Sequence, residues 1–145
     1  MLSKNIKETS RIAKMFLEKI LKEKKSKTGA TVVGLSGDLG AGKTAFAKAT
    51  AKHLGIKRKV NSPTFIIIKK YPLKRKKHKF LFHIDAYRLK NEKEILHLGW
   101  EEIIGNKEHL VFIEWPERVR RAMPPHARMI SIIAGKKGFR NIRLK

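Results

Sequence analysis

The 145-residue sequence contains no cysteine, few acidic residues and no long apolar segment. Without cysteine, the chain can form neither a disulfide framework nor a thiolate metal site. Its apolar runs, such as residues 66–68, are far too short to cross a bilayer, and the first ten residues, MLSKNIKETS, lack the apolar core of a signal peptide. We therefore expect a cytoplasmic protein with no membrane partner.

The length and composition are those of one globular domain. Hydrophobic residues make up 41% of the chain and charged residues 32%, which is ordinary for a folded soluble domain. A chain of this length has no room for a second full core. We expect a single domain over residues 1–145.

The charge balance is strongly basic. Thirty-five lysines and arginines against twelve aspartates and glutamates give a formal net charge of +23. Such a surface attracts polyanions over about one Debye length, ~8 Å at physiological salt. Nucleic acid is the obvious partner, and a solvated, lysine-rich surface without a specific partner is the alternative.

Hydrophobic periodicity predicts strands that alternate with helices. The apolar stripe over residues 9–24 predicts an amphipathic helix capped by Thr9 or Ser10. TVVGLS at 31–36 predicts a buried strand, and residues 44–54 predict a second helix. Further strands are predicted within 62–71, 80–87, 109–114, 127–133 and 138–145, with short helices at 92–98 and 100–104. This order predicts an α/β layer fold with a mixed, partly parallel sheet.

The sequence GDLGAGKT at residues 37–44 matches the spacing G-x-x-x-x-G-K-[ST] of a phosphate-binding loop, or P-loop. Its glycines let several backbone N–H groups turn inward, and the following helix adds the positive end of its dipole. In such a loop Lys43 reaches the β- and γ-phosphates, and the Thr44 hydroxyl is a ligand of Mg²⁺. The residues predicted to bind the nucleotide here are Asp38, Leu39, Gly40, Ala41, Gly42, Lys43, Thr44 and Ala45.

Two predicted strands end in a carboxylate. FLFHID ends at Asp85 and LVFIE ends at Glu114. Mg²⁺ prefers oxygen ligands, and ligands bind α/β sheets at the carboxyl ends of the strands. We expect both acids near the phosphate-binding loop, with surface acids after a strand as the alternative.

Two further segments bear on the nucleotide. Thr64, in SPTF, is predicted to offer a hydroxyl or backbone group to the γ-phosphate or to an attacking water; a turn set by Pro63 is the alternative. NKEH at 106–109 begins like the guanine-reading pattern N-K-x-D, but His109 replaces its aspartate. We therefore expect ATP.

The motifs GDLGAGKT, SPTF, HIDAYRL, LGWEE and IEWPERV occur in this order and together resemble the TsaE (YjeE) family of small bacterial ATPases. The resemblance runs from about residue 8 to about residue 133 and implies a P-loop NTPase-like, three-layer fold with an unusual strand order. It also implies binding of ATP or ADP with Mg²⁺, slow ATP hydrolysis, and action with TsaD, the threonylcarbamoyl transferase subunit, and TsaB, its inactive paralogue. ATP turnover then sustains modification of the adenosine beside the tRNA anticodon, while the transfer itself belongs to TsaD.

The resemblance also implies roles for individual residues. Lys43 and Thr44 match the loop lysine and the metal-binding threonine of the family, and Glu114 matches its second metal-binding residue. Asp85 matches an essential aspartate that holds metal or organises water. Lys43, Asp85 and Thr64 are therefore the predicted catalytic residues.

Four residues are carried over with alternatives left open. Trp115 matches a tryptophan beside the nucleotide pocket, and a core aromatic is the other interpretation. Thr9 falls near the N-terminal segment that approaches the adenine in relatives. Tyr87 and Arg88 belong to a family motif and are either structural or partner-facing.

Basic segments distinguish the chain from the family pattern. KKYPLKRKKHK, from Lys69 to Lys79, holds seven lysines or arginines in eleven residues and is expected at a hairpin turn. We hypothesise that this turn and the C-terminal basic residues help to retain tRNA; solvated charge on an exposed hairpin is the alternative. The C-terminal residues meant are Lys136, Lys137, Arg140, Arg143 and Lys145.

Two other functions remain as alternatives. A small-molecule kinase would need a substrate lid and an acceptor site, for which 145 residues leave little sequence. A basic RNA-binding adaptor with a vestigial nucleotide site is disfavoured by the intact Lys43, Thr44, Asp85 and Glu114. No aromatic RNA-binding motif is present either.

Overall fold

The computed structural model describes residues 1–23, 28–57, 67–74 and 76–145. The strands are β1 (Leu2–Ser3), β2 (Thr31–Ser36), β3 (Ile68–Pro72), β4 (Phe80–Asp85), β5 (His109–Glu114), β6 (Arg128–Ala134) and β7 (Arg140–Leu144). The helices are α1 (Ile6–Lys22), α2 (Lys43–His53), α3 (Glu92–His97) and α4 (Trp100–Ile104), and two short 3₁₀ turns cover Pro116–Ala122.

The described strands form one seven-stranded mixed sheet in the order β1-β7-β6-β2-β5-β4-β3. β2 is parallel to both β5 and β6, and β4 is parallel to β5. β3, β7 and β1 are antiparallel to their neighbours, and β3 and β1 form the two edges. The predicted mixed, partly parallel sheet and the predicted closing hairpin of β6 and β7 are both confirmed.

Helices cover both faces of the sheet, which gives the three predicted layers. On one face, α1 and α2 bury Ile12, Phe16 and Phe46 against alternate residues of the central strands, including Val33 and Leu35. On the other face, α3, α4 and the 3₁₀ turns form a second core around Trp100. Successive strand residues point to opposite faces, so the buried central strands supply both cores.

The first helix begins three residues before its predicted start. Its N-cap is Asn5, whose side chain accepts a hydrogen bond from the Glu8 backbone N–H at 2.9 Å, so the prediction of Thr9 or Ser10 as the cap is wrong. Glu8 in turn accepts from the Lys4 N–H. A polar cap with a glutamate three residues later is a sequence signature of a helix start.

Some predictions fall on residues outside the described ranges. Thr64 and the rest of SPTF lie there, and the described part of that strand begins at Ile68. The two-residue β1 was not predicted from the sequence, because its pairing with β7 is entirely tertiary. Within the described ranges, no helix combines the length and the apolar character needed to span a bilayer.

Candidate functional site

The carboxyl ends of three adjacent parallel strands bring the predicted site residues together. In the sheet register Leu35 of β2 lies beside Glu114 of β5, and Glu114 lies beside Asp85 of β4. β2 continues directly into the loop that begins at Gly37. The two carboxylates and the loop therefore share one edge of the sheet, as expected for a ligand site in an α/β fold.

Close packing requires glycine at two positions of the loop. Gly37 has φ 152°, and a Cβ there would overlap the carbonyl oxygen of Ile132. Gly42 has φ 107° and lies against Arg140, whose Nε would stand 2.7 Å from an added Cβ. The Arg140 Nε–H donates to the Ala41 carbonyl at 2.9 Å. The backbone is thus held from the β7 side, with the left-handed Gly42 leading into α2.

Lys43 is a buried cation turned toward the loop. Its side-chain ammonium donates to the carbonyl oxygens of Gly37 at 2.5 Å and Asp38 at 2.8 Å, and it lies 4.0 Å from the centre of the Trp115 ring. Burial lowers the pKa of Lys43 below its ordinary value, and the nearby carboxylates, Glu114 foremost, oppose that shift. A buried ammonium is costly unless it has partners, and here two carbonyl oxygens and the face of an aromatic ring supply them.

Glu114 is held at both of its carboxylate oxygens. The Thr44 hydroxyl donates to Oε1 at 2.9 Å, and Nε2 of His83 lies 2.7 Å from Oε2. Glu114 is only 2% exposed and His83 only 1%. A buried carboxylate is costly unless it is hydrogen-bonded, so these contacts keep a negative oxygen at the base of the loop.

Asp85 occupies a more open position beside Glu114. Its Oδ1 accepts from the Tyr87 backbone N–H at 2.9 Å. Burial raises the pKa of Asp85 above its ordinary value, and the hydrogen bond from Tyr87 opposes the shift. Both carboxylates line the cavity, and Asp85 is the more exposed of the two.

Trp115 follows Glu114 in a left-handed conformation, with φ 60° and ψ 51°. Such a conformation is uncommon for a bulky residue and costs free energy, so the surroundings must hold it. The Trp115 N–H donates to Leu35 O at 3.2 Å, and its ring centre lies 5.0 Å from that of Tyr87. The conformation turns the indole across Lys43 and toward the cavity.

These groups surround a cavity of about 370 Å³. That volume falls within the usual range for small-molecule sites, about 300–1,000 Å³. Its lining includes most of the predicted site residues, together with Ile67, Tyr87 and Arg88. The lining residues are Leu39, Gly40, Gly42, Lys43, Thr44, Ile67, Asp85, Tyr87, Arg88, Glu114 and Trp115.

The other predicted nucleotide-binding residues lie beside the cavity or away from it. Asp38 accepts from the Ala41 N–H through its carbonyl and shapes the loop from within. Ala45 lines an adjoining groove between α1 and α2. Thr9 is 1% exposed, and its hydroxyl lies 2.7 Å from that of Ser3, so the structure places it in the packing of α1 against the N-terminal segment.

The donor set fits Mg²⁺ only in the company of phosphate oxygens. Thr44, Glu114 and Asp85 offer hard oxygen atoms, which Mg²⁺ prefers. Over the described ranges, no group of three or more His, Cys, Asp or Glu side chains could hold a metal by itself. Mg²⁺ commonly binds through one or two protein ligands plus the phosphates of a nucleotide, so the residues fit that use.

Sequence reasoning missed two residues of this site. His83 lies in the motif HIDAYRL, two positions before Asp85, and the alternation of β4 places both side chains on one face. That alternation was a usable signal for His83. Arg140 was assigned to a basic patch, and only the tertiary fold brings it to the loop.

The chain was compared with known proteins. The family model described as Threonylcarbamoyl adenosine biosynthesis protein TsaE matches residues 3–142. The chain belongs to the TsaE family. It is 37% identical over 121 residues to the tRNA threonylcarbamoyladenosine biosynthesis protein TsaE of Rickettsia prowazekii, an alignment that covers 82% of this chain and 75% of the relative. It is 41% identical over 106 residues to TsaE of Bacillus subtilis, covering 70% of this chain and 60% of the relative.

A solved TsaE-like structure has the same fold. The crystal structure of YdiB from Bacillus subtilis superposes with a TM-score of 0.67 at 30% identity, covering 98% of this chain and 80% of the other. The predicted P-loop α/β fold is thereby confirmed. These matches cover 60–80% of the length of the matched chains, and residues 3–142 of this TsaE-family chain include the strands and loop that build the site.

Proposed function

We propose that this chain is the Mg²⁺-dependent, ATP-binding and ATP-hydrolysing subunit of tRNA threonylcarbamoyladenosine synthesis, acting in the cytoplasm with TsaD-like and TsaB-like partners. Threonylcarbamoyl transfer is then the task of the TsaD-like partner. The observation that carries the proposal is the 2.9 Å hydrogen bond from Thr44 to Glu114, at the base of a P-loop and beside a buried Lys43. This arrangement supplies a metal-binding edge and a cation on either side of one cavity.

In the proposed reaction, the loop amides and Lys43 bind the triphosphate. Lys43 leaves the carbonyls of Gly37 and Asp38 and donates to the β- and γ-phosphate oxygens instead. Thr44 and Glu114 would hold Mg²⁺, which would supply charge neutralisation for the triphosphate. Catalysis in this class depends mostly on position and charge, so a dedicated general base is not required.

Asp85 is the residue we assign to the attacking water. Its carboxylate is accessible from the cavity, and Tyr87 N–H fixes one oxygen, which leaves the other for water or for metal. The predicted contribution of Thr64 near the γ-phosphate stays a prediction, since this residue lies outside the described ranges.

The groove between α1 and α2 is the place we propose for the adenosine. It adjoins the loop at Ala45 and is lined by Ile6, Ser10 and Ala49 along with three lysines. Ile6 is 60% exposed and offers an apolar surface to a base. The predicted adenine contact near Thr9 is then made by its neighbours, because the Thr9 side chain is buried.

Calorimetry of nucleotide binding tests the proposal. Wild type should bind ADP and ATP more tightly with Mg²⁺ than with a chelator present. Glu114→Gln should keep the shape of the site but lose about 100-fold or more of the Mg²⁺-dependent gain, because loss of a direct ligand costs at least as much as loss of a hydrogen-bond partner behind it. No heat of binding for wild type with Mg²⁺ and both partners supplied would end the proposal.

Reconstitution with the two partner proteins separates this function from its alternatives. Multiple rounds of tRNA modification should proceed with ATP and stop with a non-hydrolysable analogue. Phosphoryl transfer to a panel of metabolites would instead indicate a kinase. Lys43→Ala should abolish sustained modification, whereas a passive RNA adaptor would keep it.

The proposed contact with tRNA can now be stated by position. The basic turn of the 69–79 segment lies where Pro72 pairs with Phe80, at the end of the sheet opposite the cavity. Lys77 there donates to Leu21 O at 2.7 Å and Glu23 O at 2.5 Å, which caps α1. Its contact with RNA would compete with that cap.

The C-terminal patch divides between the two ends of the sheet. β6 and β7 run antiparallel, so Lys136 and Lys137 lie at the turn on the cavity side, whereas Lys145 lies at the far side. Arg140 is already bonded to the loop and is a poor candidate for RNA. In this proposal Lys136 and Lys137 therefore contact RNA at the cavity side, and Lys145 contacts it at the far side.

Salt titration of tRNA binding tests the basic turn. Lys74, Lys76 and Lys79 are exposed, so a triple glutamine variant removes their charge without touching the Lys77 cap. Each lost phosphate contact should reduce the slope of log affinity against log salt by about 0.7–0.9. An unchanged slope removes this part of the proposal.

A further inference from the structure

We propose that His83 is a positioning residue that fixes the Glu114 carboxylate for Mg²⁺-linked nucleotide binding. The inference rests on the proposed function, because it assigns a role within the same site. It starts from the contact between Nε2 of His83 and Oε2 of Glu114, 2.7 Å long and almost completely buried. His83 does not line the cavity itself, so it acts on a ligand only through Glu114.

The strand register makes this contact. His83 of β4 lies beside Phe112 of β5, and Asp85 lies beside Glu114. His83 is therefore the diagonal neighbour of Glu114 on the same face of the sheet, a separation that a long side chain can span. Both strands are central and buried, so neither end of the contact can move without disturbing the sheet.

Hydrogen-bond accounting identifies which ring nitrogen carries the hydrogen. A carboxylate only accepts, so Nε2 of His83 must donate to Oε2 of Glu114. Nδ1 is buried, and within the described ranges it has no hydrogen-bond partner. A hydrogen on Nδ1 would be a buried, unpaired donor, which is costly, so Nε2 is the nitrogen that carries the hydrogen.

A histidine donor suits a carboxylate that must also hold a cation. The ring presents its Nε2 to Oε2 and so orients the carboxylate, as hydrogen-bond partners behind metal ligands commonly do. Its contact is with Oε2, which leaves the Oε1 side of Glu114 for the proposed metal.

His83 is also the contact of Glu114 that does not belong to the metal site. Oε1 accepts from Thr44, which is itself a proposed metal ligand and must rearrange when metal binds. Oε2 is held by a residue of a different strand, away from the cavity. His83 therefore keeps Glu114 in place while the bonds on the Oε1 side change.

The test measures how much Mg²⁺ tightens ADP binding, by calorimetry with MgCl₂ and with a chelator. His83→Gln keeps an N–H donor near the Nε2 position, whereas His83→Asn is one carbon shorter and His83→Leu has no donor. The Leu and Asn variants should lose about 10- to 100-fold in apparent Mg²⁺ affinity, and Gln should retain most of it. ADP binding in the chelator should change little in all three.

His109→Leu is the matched control. His109 is also a buried histidine of the sheet, and its Nδ1 lies 2.8 Å from Ile103 O at the opposite end of β5 from Glu114. Its loss should lower the melting temperature but leave the Mg²⁺ effect intact. If Leu fails to fold, the contrast between Gln and Asn still decides the question.

Other outcomes overturn the assignment. Retained Mg²⁺ affinity in all three variants, or equal loss in Gln and Leu, would show that donation from His83 does not position Glu114. If wild type binds ADP with no Mg²⁺ effect, the proposed function fails, and this role of His83 fails with it.

Discussion

At the carboxyl end of the central strands, Lys43 and Glu114 are 4% and 2% exposed, whereas at the opposite end of the sheet Lys74, Lys76 and Lys79 stand in solvent. Each buried group is held by several contacts, two carbonyls and a ring for Lys43 and two donors for Glu114. The side chain of Lys77, in the same turn, contacts the end of α1 through Leu21 O and Glu23 O.

The two ends of the sheet differ in the free-energy cost of the charged groups that they carry. Burying an ion is expensive unless its hydrogen bonds are satisfied, so a chain keeps such groups only where they serve packing or a ligand. An exposed lysine costs almost nothing, so its presence carries little information about function. The cavity end is therefore the stronger guide to what the protein does, and its charges should be the sensitive ones.

The largest effect is expected from Asp85→Asn. The amide keeps the contact with Tyr87 N–H but removes the charge to which we assign the attacking water, so ATP hydrolysis should fall by about 100-fold or more. ADP affinity should change far less. Steady-state hydrolysis and calorimetry measure the two effects, with Glu101→Gln, an exposed residue of α4, as the control. Wild-type turnover in the Asn variant would remove Asp85 from the mechanism.

Lys43→Ala should affect binding more than any change at the basic turn. In the proposed site, charge-assisted hydrogen bonds from Lys43 to phosphate would be worth about 1.5–3 kcal/mol, so ADP affinity should fall by about 10- to 100-fold. Because burial disfavours the charged form of this lysine, the variant should remain folded. Calorimetry with the exposed Lys14→Ala as control measures the difference. Equal affinities would contradict the assigned role of Lys43.

The raised pKa of Asp85 predicts how stability depends on pH when metal and nucleotide are absent. The folded protein binds this proton more tightly than the unfolded chain, so the contribution of Asp85 is most favourable below its unfolded pKa. That contribution is lost as the pH rises through the higher folded pKa. Asp85→Asn should therefore gain melting temperature relative to wild type as the pH increases from about 4 to about 8. A constant difference over this range would contradict the prediction.

The sequence predicted the parts of this site that depend on local pattern. The loop, its flanking strand and helix, and the acids at two strand ends all follow from spacing, turn chemistry and apolar runs. The sequence also predicted that these two acids lie at the same edge of the sheet, because the carboxyl ends of parallel strands meet there.

What the sequence did not predict depends on contacts between distant residues. Arg140 and Ala41 are 99 residues apart in the sequence, and Lys77 and Leu21 are 56 apart. No local sequence pattern predicts either contact. The pairing of β1 with β7 is of the same kind. The Asn5 cap could have been predicted, since Asn5 and Glu8 carry a local signature of a helix start. The apolar stripe begins further along the chain and indicated a later start.

The smallest expected effect is a difference in melting temperature between a variant of Lys77 and one of Lys76, its neighbour in the basic turn. Lys77→Ala removes a cation from the carbonyl end of α1, worth about 0.3–1 kcal/mol, which corresponds to a melting temperature lower by about 1–4 °C. Lys76→Ala, equally exposed, should leave the melting temperature unchanged. Thermal unfolding of both variants tests this difference. Equal shifts would mean that the contact with α1 contributes nothing, and the turn would then present Lys77, like Lys76, as a charge free to bind RNA.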